Sequence, residues 1–270
     1  MEYLSLNGKI LPEAEAQIPA TDPAVAHGLG LFEVTRAYRG VPFRIADHLS
    51  RMRRSATRFG LRLAPGRVGE EIAELCRRNR LEDAYVRITL TGGGNFLIRT
   101  RPLERLPAAW YRRGARVLLA ESRRDPAGIL YGHKTLNYLE NVMLRDRARR
   151  AGAADTILIG LGGEVLEGCV SNVFLVRRGR LVTPSLDAHI LPGVTRKVVL
   201  GLAARARLRV DERTVGADEM TEAEEAFLTN SLVEVLPVTR IGAGRVAGPG
   251  RITRFIADEY RKTVERETGR

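Results

Sequence analysis

The chain has 270 residues, 44% of them hydrophobic and 28% charged, enough to bury a substantial core in one large or two modest domains. No run of about 18 apolar residues is present to span a bilayer, and the two cysteines, Cys76 and Cys169, supply neither a disulfide framework nor a metal-ligand pattern. The net charge of +12 invites a nucleic-acid reading, but the basic residues are scattered among acids as pairs such as Arg53-Arg54 and Arg177-Arg178, without a basic tail or an aromatic-interleaved patch.

Residues 3–12 read as a hairpin around Asn7-Gly8, a two-residue turn that tolerates positive φ. After a loop through Pro23, Leu31 to Tyr38 alternates with β-branched residues and predicts a strand. The Arg39-Gly40 turn leads to a short strand at Val41 to Arg44. Asp47 is the expected cap of a helix to about Phe59, followed by a second helix at Val68 to Arg80 and a strand at Ala84 to Thr91. Gly92-Gly-Gly-Asn95 lacks the Lys-Ser/Thr of a phosphate loop and reads as a turn.

Pro102 to Pro107 marks the expected boundary between a small α/β domain, residues 1–106, and a larger strand-rich domain, residues 107–270. Val117 to Glu121 opens the second half as a strand, and a loop through Pro126 and Gly132 delivers Lys134 ahead of a helix from about Asn137 to Arg150. Strands are expected at Thr156 to Ile159, Val165 to Leu166, Val173 to Val176 and Leu181 to Thr183. A helix from Val194 to about Ala204 and a strand at Arg207 to Val210 follow. Thr221 and Glu224 have capping-box spacing. Ala226 to Ser231 and Glu234 to Thr239 read as strands, and an amphipathic helix near Thr253 to Glu265 ends the pattern. The start, Met-Glu-Tyr-Leu-Ser, has neither the basic residues nor the apolar stretch of a secretory leader, so a cytoplasmic protein is expected.

Two devices stand out around Glu167-Gly-Cys-Val-Ser-Asn-Val-Phe174. Glu167 is a lone acid at the end of an apolar run, where a carboxylate needs a cationic partner. Further on, Pro192-Gly193 runs straight into a helix with Thr195 in its first turn, and the free N–H groups and positive dipole of such a start suit a phosphate. Lysine is scarce: of 44 basic residues only Lys9, Lys134, Lys197 and Lys262 are lysines. Arginine can replace a surface charge but does not readily lose its proton to form an imine, so each lysine is a candidate nucleophile.

Together these features resemble the class IV pyridoxal-phosphate enzymes, the branched-chain and D-amino-acid aminotransferases and aminodeoxychorismate lyases. The resemblance runs through Glu167, Asn172, Leu181 to Thr183 and the Leu-x-Gly-Val-x-Arg of Leu191 to Arg196, and extends over most of the chain. It implies a two-domain α/β enzyme of fold type IV whose larger domain is barrel-like, with pyridoxal 5'-phosphate (PLP) at the domain interface and no metal. It also implies a homodimer, each pocket being completed by the partner.

Residue by residue, the resemblance gives Lys134 the Schiff base with the cofactor and Glu167 the protonated ring nitrogen. Arg51, one turn after His48, would hold the phosphate together with Val194, Thr195 and Ser231, Asn230 lying alongside; Tyr138 either bonds the phenolic oxygen or packs. Phe32 resembles a pocket wall, and Arg36 and Arg87 stand where branched-chain aminotransferases carry an arginine for the second-substrate carboxylate. The Arg-x-His pair of D-amino-acid aminotransferases is replaced by Thr91-Gly92-Gly93. Transamination between an amino acid and a 2-oxo acid is the leading expectation. The short chain and Thr229-Asn-Ser-Leu232 resemble the lyases, which release pyruvate and leave p-aminobenzoate. A basic nucleic-acid-binding module is the alternative from another class, and no membrane partner is expected.

Overall fold

The computed structural model describes residues 2–124 and 128–269, so the predicted loop through Pro126 falls partly outside the described residues. Two compact units form, and their boundaries are not a single cut. The first takes the chain up to Arg105, together with His133–Asn137 and the C-terminal segment from Val264; the second takes Leu106–Gly132 and Tyr138–Thr263. Lys134 thus clusters with the first unit, whereas the sequence pattern assigned it to the second half.

The first unit is built on a fully antiparallel six-stranded sheet of β1 (Tyr3–Leu6), β2 (Lys9–Pro12), β3 (Gly30–Tyr38), β4 (Val41–Pro42), β5 (Asp83–Thr91) and β6 (Phe96–Pro102), ordered β2-β1-β6-β5-β3-β4. The first hairpin turns on Asn7 and Gly8, at φ 53° and 81°, the conformation an Asn-Gly pair adopts at least cost. Helix α1 (Pro23–His27) precedes β3; α2 (Ile45–Arg58) and α3 (Val68–Arg78) pack with the sheet. Met52, Ala56, Ile72 and Leu75 from these helices meet Leu31, Val86, Ile88 and Ile98 from the strands in one core.

The second unit begins with α4 (Ala108–Arg113) and β7 (Ala115–Glu121). Helix α5 (Leu139–Arg150), β8 (Asp155–Ile159), β9 (Val165–Gly168), β10 (Asn172–Arg177) and β11 (Arg180–Pro184) follow. Next come α6 (Val194–Arg205), β12 (Val210–Arg213), β13 (Glu225–Asn230), β14 (Glu234–Ile241), β15 (Gly244–Arg245) and α7 (Arg251–Thr268), which continues into the first unit. The nine-stranded mixed sheet runs β12-β11-β10-β13-β14-β7-β8-β9, with β15 on β14. Parallel pairing joins β7 to β8 and β11 to β12, each pair bracketing a helix, α5 and α6. Val117, Ile157, Val173, Leu175, Leu228 and Leu236 form its main core.

Three local expectations are corrected. Asp47 lies inside α2; Arg44, at φ 55°, is the cap residue, and Asp47 sits in the first turn, where a negative charge suits the dipole. Thr221 and Glu224 open no helix: Thr221 closes the short turn Asp218–Met220, and Glu224 accepts hydrogen bonds from the Arg178 and Gly179 amides of the β10–β11 turn. The strand expected from Arg207 begins at Val210 because Arg207, at φ 55°, and Leu208 finish the C-terminus of α6.

Phe174 of β10 lies opposite Phe227 of β13, rings stacked at 5.0 Å and 4°, both fully buried. Phe174→Ala is expected to cost about 3–5 kcal/mol. The measurement is a denaturant titration, with a lower midpoint at unchanged slope; a loss under about 1 kcal/mol contradicts this packing.

Candidate active site

In the first unit, one edge of β3 takes up a visitor. Phe32 N donates to Lys134 O at 2.9 Å, Leu136 N donates to Gly30 O at 2.9 Å, and Leu31 and Thr135 form an antiparallel bridge. Gly30 is required for this approach, since a Cβ there would lie 2.6 Å from both Leu136 Cδ1 and the Leu90 carbonyl oxygen. Side chains alternate along this segment. His133 reaches α2, with Nδ1 2.9 Å from Ser55 Oγ and its ring edge-on to Phe59. Lys134 points the other way, its Nζ 4.4 Å from the centre of the Phe32 ring. Arg87, from β5, places its guanidinium carbon 4.0 Å from the same ring. Phe32, Arg87 and Lys134 are therefore brought together.

Arg36 is not part of that group. It sits four residues beyond Phe32, about 13 Å along the strand, where Asp83 takes its Nη2 at 2.6 Å and Tyr38 lies under its guanidinium.

On the helix side of β3, α2 buries His48, Arg51, Met52, Ser55 and Ala56, one stripe at i, i+3, i+4, i+7 and i+8. Glu33 meets it there. Its Oε1 accepts from Arg51 Nε at 2.8 Å, Oε2 accepts from Arg51 Nη2 at 2.6 Å, and His48 Nδ1 lies 2.8 Å from Oε2. Burial alone raises the Glu33 carboxyl, but the charge and hydrogen bonds of Arg51, with those of His48, outweigh it and hold the group down to about 2. Burial holds the His48 ring below its usual range despite Glu33. A carboxylate only accepts, so the neutral ring carries its proton on Nδ1.

In the second unit, Glu167 is the penultimate residue of β9 and almost fully buried, with Oε1 accepting from Arg124 Nη1 at 2.6 Å and Oε2 from Leu191 N at 2.9 Å. The turn after it is held by two donors to one acceptor: Tyr138 OH at 2.8 Å and Asn141 Nδ2 at 2.7 Å both reach the Cys169 carbonyl. Burial, with the nearby Glu167 and Asp155 charges, pushes the Tyr138 phenol well above its usual range, so it stays a neutral donor.

Behind this turn Asp155 Oδ2 accepts from Ser171 Oγ at 2.6 Å, and Oδ1 from Thr156 N at 2.8 Å. Gly168 leaves no room for a Cβ against Ser171 Oγ and Asp155 Oδ2. Helix α6 opens at Gly193 with no side-chain cap, its first residues Val194 and Thr195 buried. It packs on β13, where Thr229 Oγ1 is buried without a hydrogen-bond partner. Asn230 Oδ1 accepts from Leu232 N and Val233 N and shapes the turn that carries Ser231.

Glu33, Arg124, Asp155 and Asn141 were not singled out in the sequence, and Thr229 was noted only as part of the Thr229-Asn-Ser-Leu232 run. Glu33, an acid in an alternating strand, reads as solvent-facing; Arg124 lies in a loop among 40 arginines, and nothing local marks it. Among the described residues no His/Cys/Asp/Glu group is arranged to hold a metal ion, and no helix is long and apolar enough to cross a membrane.

Residues 30–241 match the family described as amino-transferase class IV. A Methanocaldococcus jannaschii protein assigned as a branched-chain-amino-acid aminotransferase is 32% identical over 272 residues, 95% of this chain and 94% of that one. A D-alanine aminotransferase of Bacillus licheniformis is 28% identical over 98% of each chain. Among solved structures, the T.th. branched-chain amino acid aminotransferase with pyridoxamine 5'-phosphate superposes at TM-score 0.86 and 26% identity, over 100% of this chain and 95% of that one. A fold of this kind is that of the fold type IV transaminases. The chain belongs to the class IV aminotransferases. It is an enzyme whose reaction is transamination, and no comparison favours the lyase alternative.

Asp155 generates a pH prediction. Burial raises its carboxyl from 3.8 to about 6, only partly offset by Ser171, Thr156 and Val170. The folded state thus holds this proton more tightly than the unfolded one. The stability so gained is complete below about pH 4 and lost as pH rises through about 6. A displacement of that size corresponds to about 3 kcal/mol. Asp155→Asn cannot ionise, so the difference in thermal stability between parent and variant is expected to change across pH 4–6 in the variant's favour; parallel pH profiles of the two proteins overturn it.

Proposed function

We propose that this transaminase is PLP-dependent, moving the amino group of an amino acid to a 2-oxo acid, with Lys134 as the lysine that holds the cofactor and moves the proton. The observation that carries the reading is the start of α6: a buried helix N-terminus with no side-chain cap leaves N–H groups that an anion would satisfy. The donor set fits the cofactor. Val194 and Thr195 offer amides and a hydroxyl to a phosphate, the buried Thr229 hydroxyl waits for a partner nearby, and Asn230 shapes the turn that carries Ser231; we assign Arg51 to the same phosphate on the family resemblance. Glu167 is the carboxylate for a protonated ring nitrogen, and Tyr138 supports the turn that carries it. Bound PLP supplies an electron sink for the charge left when the substrate loses its α-proton.

Lys134 is presented by the edge of β3 beside an aromatic wall, Phe32, and a cation, Arg87. We assign Arg87 to a substrate carboxylate and Phe32 to its apolar part. Arg36 is left out, its guanidinium being engaged by Asp83. Borohydride treatment of the PLP-loaded enzyme is expected to fix the cofactor on Lys134, and Lys134→Arg to abolish both labelling and turnover. A label on Lys9, Lys197 or Lys262 overturns the assignment. Glu167→Gln is expected to retain cofactor while the half-reaction with amino donor slows by about 10²-fold or more. Titration with L- and D-amino acids, reversed by 2-oxoglutarate, reads the donor series; no response to either, with pyruvate released from aminodeoxychorismate, makes the enzyme a lyase.

We further infer a cytoplasmic homodimer. In its support, α5 fully buries Ala148 but leaves Leu139, Val142 and Met143 exposed on one stripe at i, i+3 and i+4. Met143→Glu is expected to shift the mass measured by light scattering from dimer to monomer. A parent that is already monomeric overturns the dimer.

A further inference from the structure

The stripe that α2 buries contains a polar cluster that the cofactor assignments use only in part. Glu33, His48 and Arg51 are all nearly excluded from solvent, at 1%, 1% and 5% exposure. His48 and Arg51 share the stripe with Met52, Ser55 and Ala56, and Glu33 meets it from β3. Such a buried ion pair is a poor stability device, because apolar residues of similar volume commonly do as well or better. It fixes geometry. The carboxylate takes Nε and Nη2 of Arg51 in two parallel bonds of 2.8 and 2.6 Å, which leaves the guanidinium plane one orientation. The His48 Nδ1–H fills the second site on Oε2 and stops the carboxylate from turning.

We propose that Glu33 is a positioning residue for cofactor binding: it orients Arg51, and His48 locks Glu33, so that a phosphate meets a preformed donor. This rests on the assignment of Arg51 to the PLP phosphate made above. Two effects of Glu33 oppose each other. Its negative charge lowers the local positive potential and by itself weakens binding of an anion. Its two hydrogen bonds spare the arginine the cost of being ordered on binding, which strengthens it. The buried fork makes orientation the larger effect, so neutralising Glu33 weakens PLP binding even though it removes a repulsive charge.

The experiment titrates the apoenzyme, by cofactor absorbance, with PLP and with pyridoxal, which lacks the phosphate. It uses the parent, Glu33→Gln, Glu33→Asp, Arg51→Ala and the Glu33→Gln/Arg51→Ala double variant, all checked for fold by circular dichroism. Glu33→Gln is expected to raise the PLP dissociation constant about 10-fold or more, to change pyridoxal binding less than 2-fold, and to add little in the Arg51→Ala background. Glu33→Asp, which keeps the charge but shortens the reach, falls between, and it carries the test if Glu33→Gln does not fold. Unchanged or tighter PLP binding by Glu33→Gln, with Arg51→Ala impaired, overturns the positioning role and leaves the phosphate assignment standing. An equal loss for PLP and pyridoxal overturns it too, as a general structural effect. If Arg51→Ala binds PLP like the parent, the phosphate assignment itself is wrong.

Discussion

Two backbone hydrogen bonds, Phe32 N to Lys134 O and Leu136 N to Gly30 O, decide where Lys134 stands. A long side chain on a loop would explore many rotamers. Here the segment is stitched to a strand edge, and strand alternation then fixes which way each residue faces. His133 goes to the α2 side, Lys134 to the side of Phe32 and Arg87. The pairing depends on glycine at position 30, where any side chain would strike Leu136 and the Leu90 carbonyl. Position, chemistry and local sequence are thus one constraint, and it is carried by backbone.

The same strand works on both of its faces. Its even-numbered residues from Phe32 carry the aromatic wall, and its odd-numbered ones, Leu31, Glu33, Thr35 and Ala37, face α2 and α3. Glu33 is the charged residue on that face, and α2 answers with His48 and Arg51 at the matching positions of its buried stripe. Neither side of that match stands alone: without Glu33 the helix buries an unpaired cation, and without Arg51 the strand buries an unpaired anion, each a costly state.

This division explains what was readable in the sequence. Leu31 to Tyr38, the paired helices after it and the Asn7-Gly8 turn follow from local periodicity and turn chemistry, and all are formed. Lys134, Glu167 and the start of α6 were legible through spacing and family resemblance. Glu33 was not, because an acid in an alternating strand reads as solvent-facing and its partners lie 15 and 18 residues away. Arg124 was hidden for a related reason, its acceptor Glu167 being 43 residues on. The two capping errors have different origins, one local and one distant. Asp47 and Glu224 have the right spacing to cap, but a left-handed Arg44 starts one helix and a turn 45 residues away takes the Glu224 carboxylate. Local pattern reports what a side chain can do, and long-range packing selects among those uses.

Three buried carboxylates meet different partners in this protein. Glu33 faces a full guanidinium and a histidine N–H, and its charge is strongly favoured. Glu167 divides its oxygens between Arg124 and the Leu191 amide, one charged donor and one neutral. Asp155 receives neutral donors, the Ser171 hydroxyl and the Thr156 and Val170 amides, with Arg145 acting only at a distance, and these do not offset burial. Unlike Glu33, it is therefore an acid whose charged form costs stability. Its place gives it a structural use: Oδ2 and Ser171 Oγ fill the space beside Gly168, the residue after Glu167, so the turn that follows Glu167 is built around the Asp155 side chain. An apolar residue there would fill the volume and leave the Ser171 hydroxyl and the Thr156 amide without this acceptor, a loss of about 1–3 kcal/mol for each group left unsatisfied. The charge of Asp155 is expendable, and its two oxygens are not.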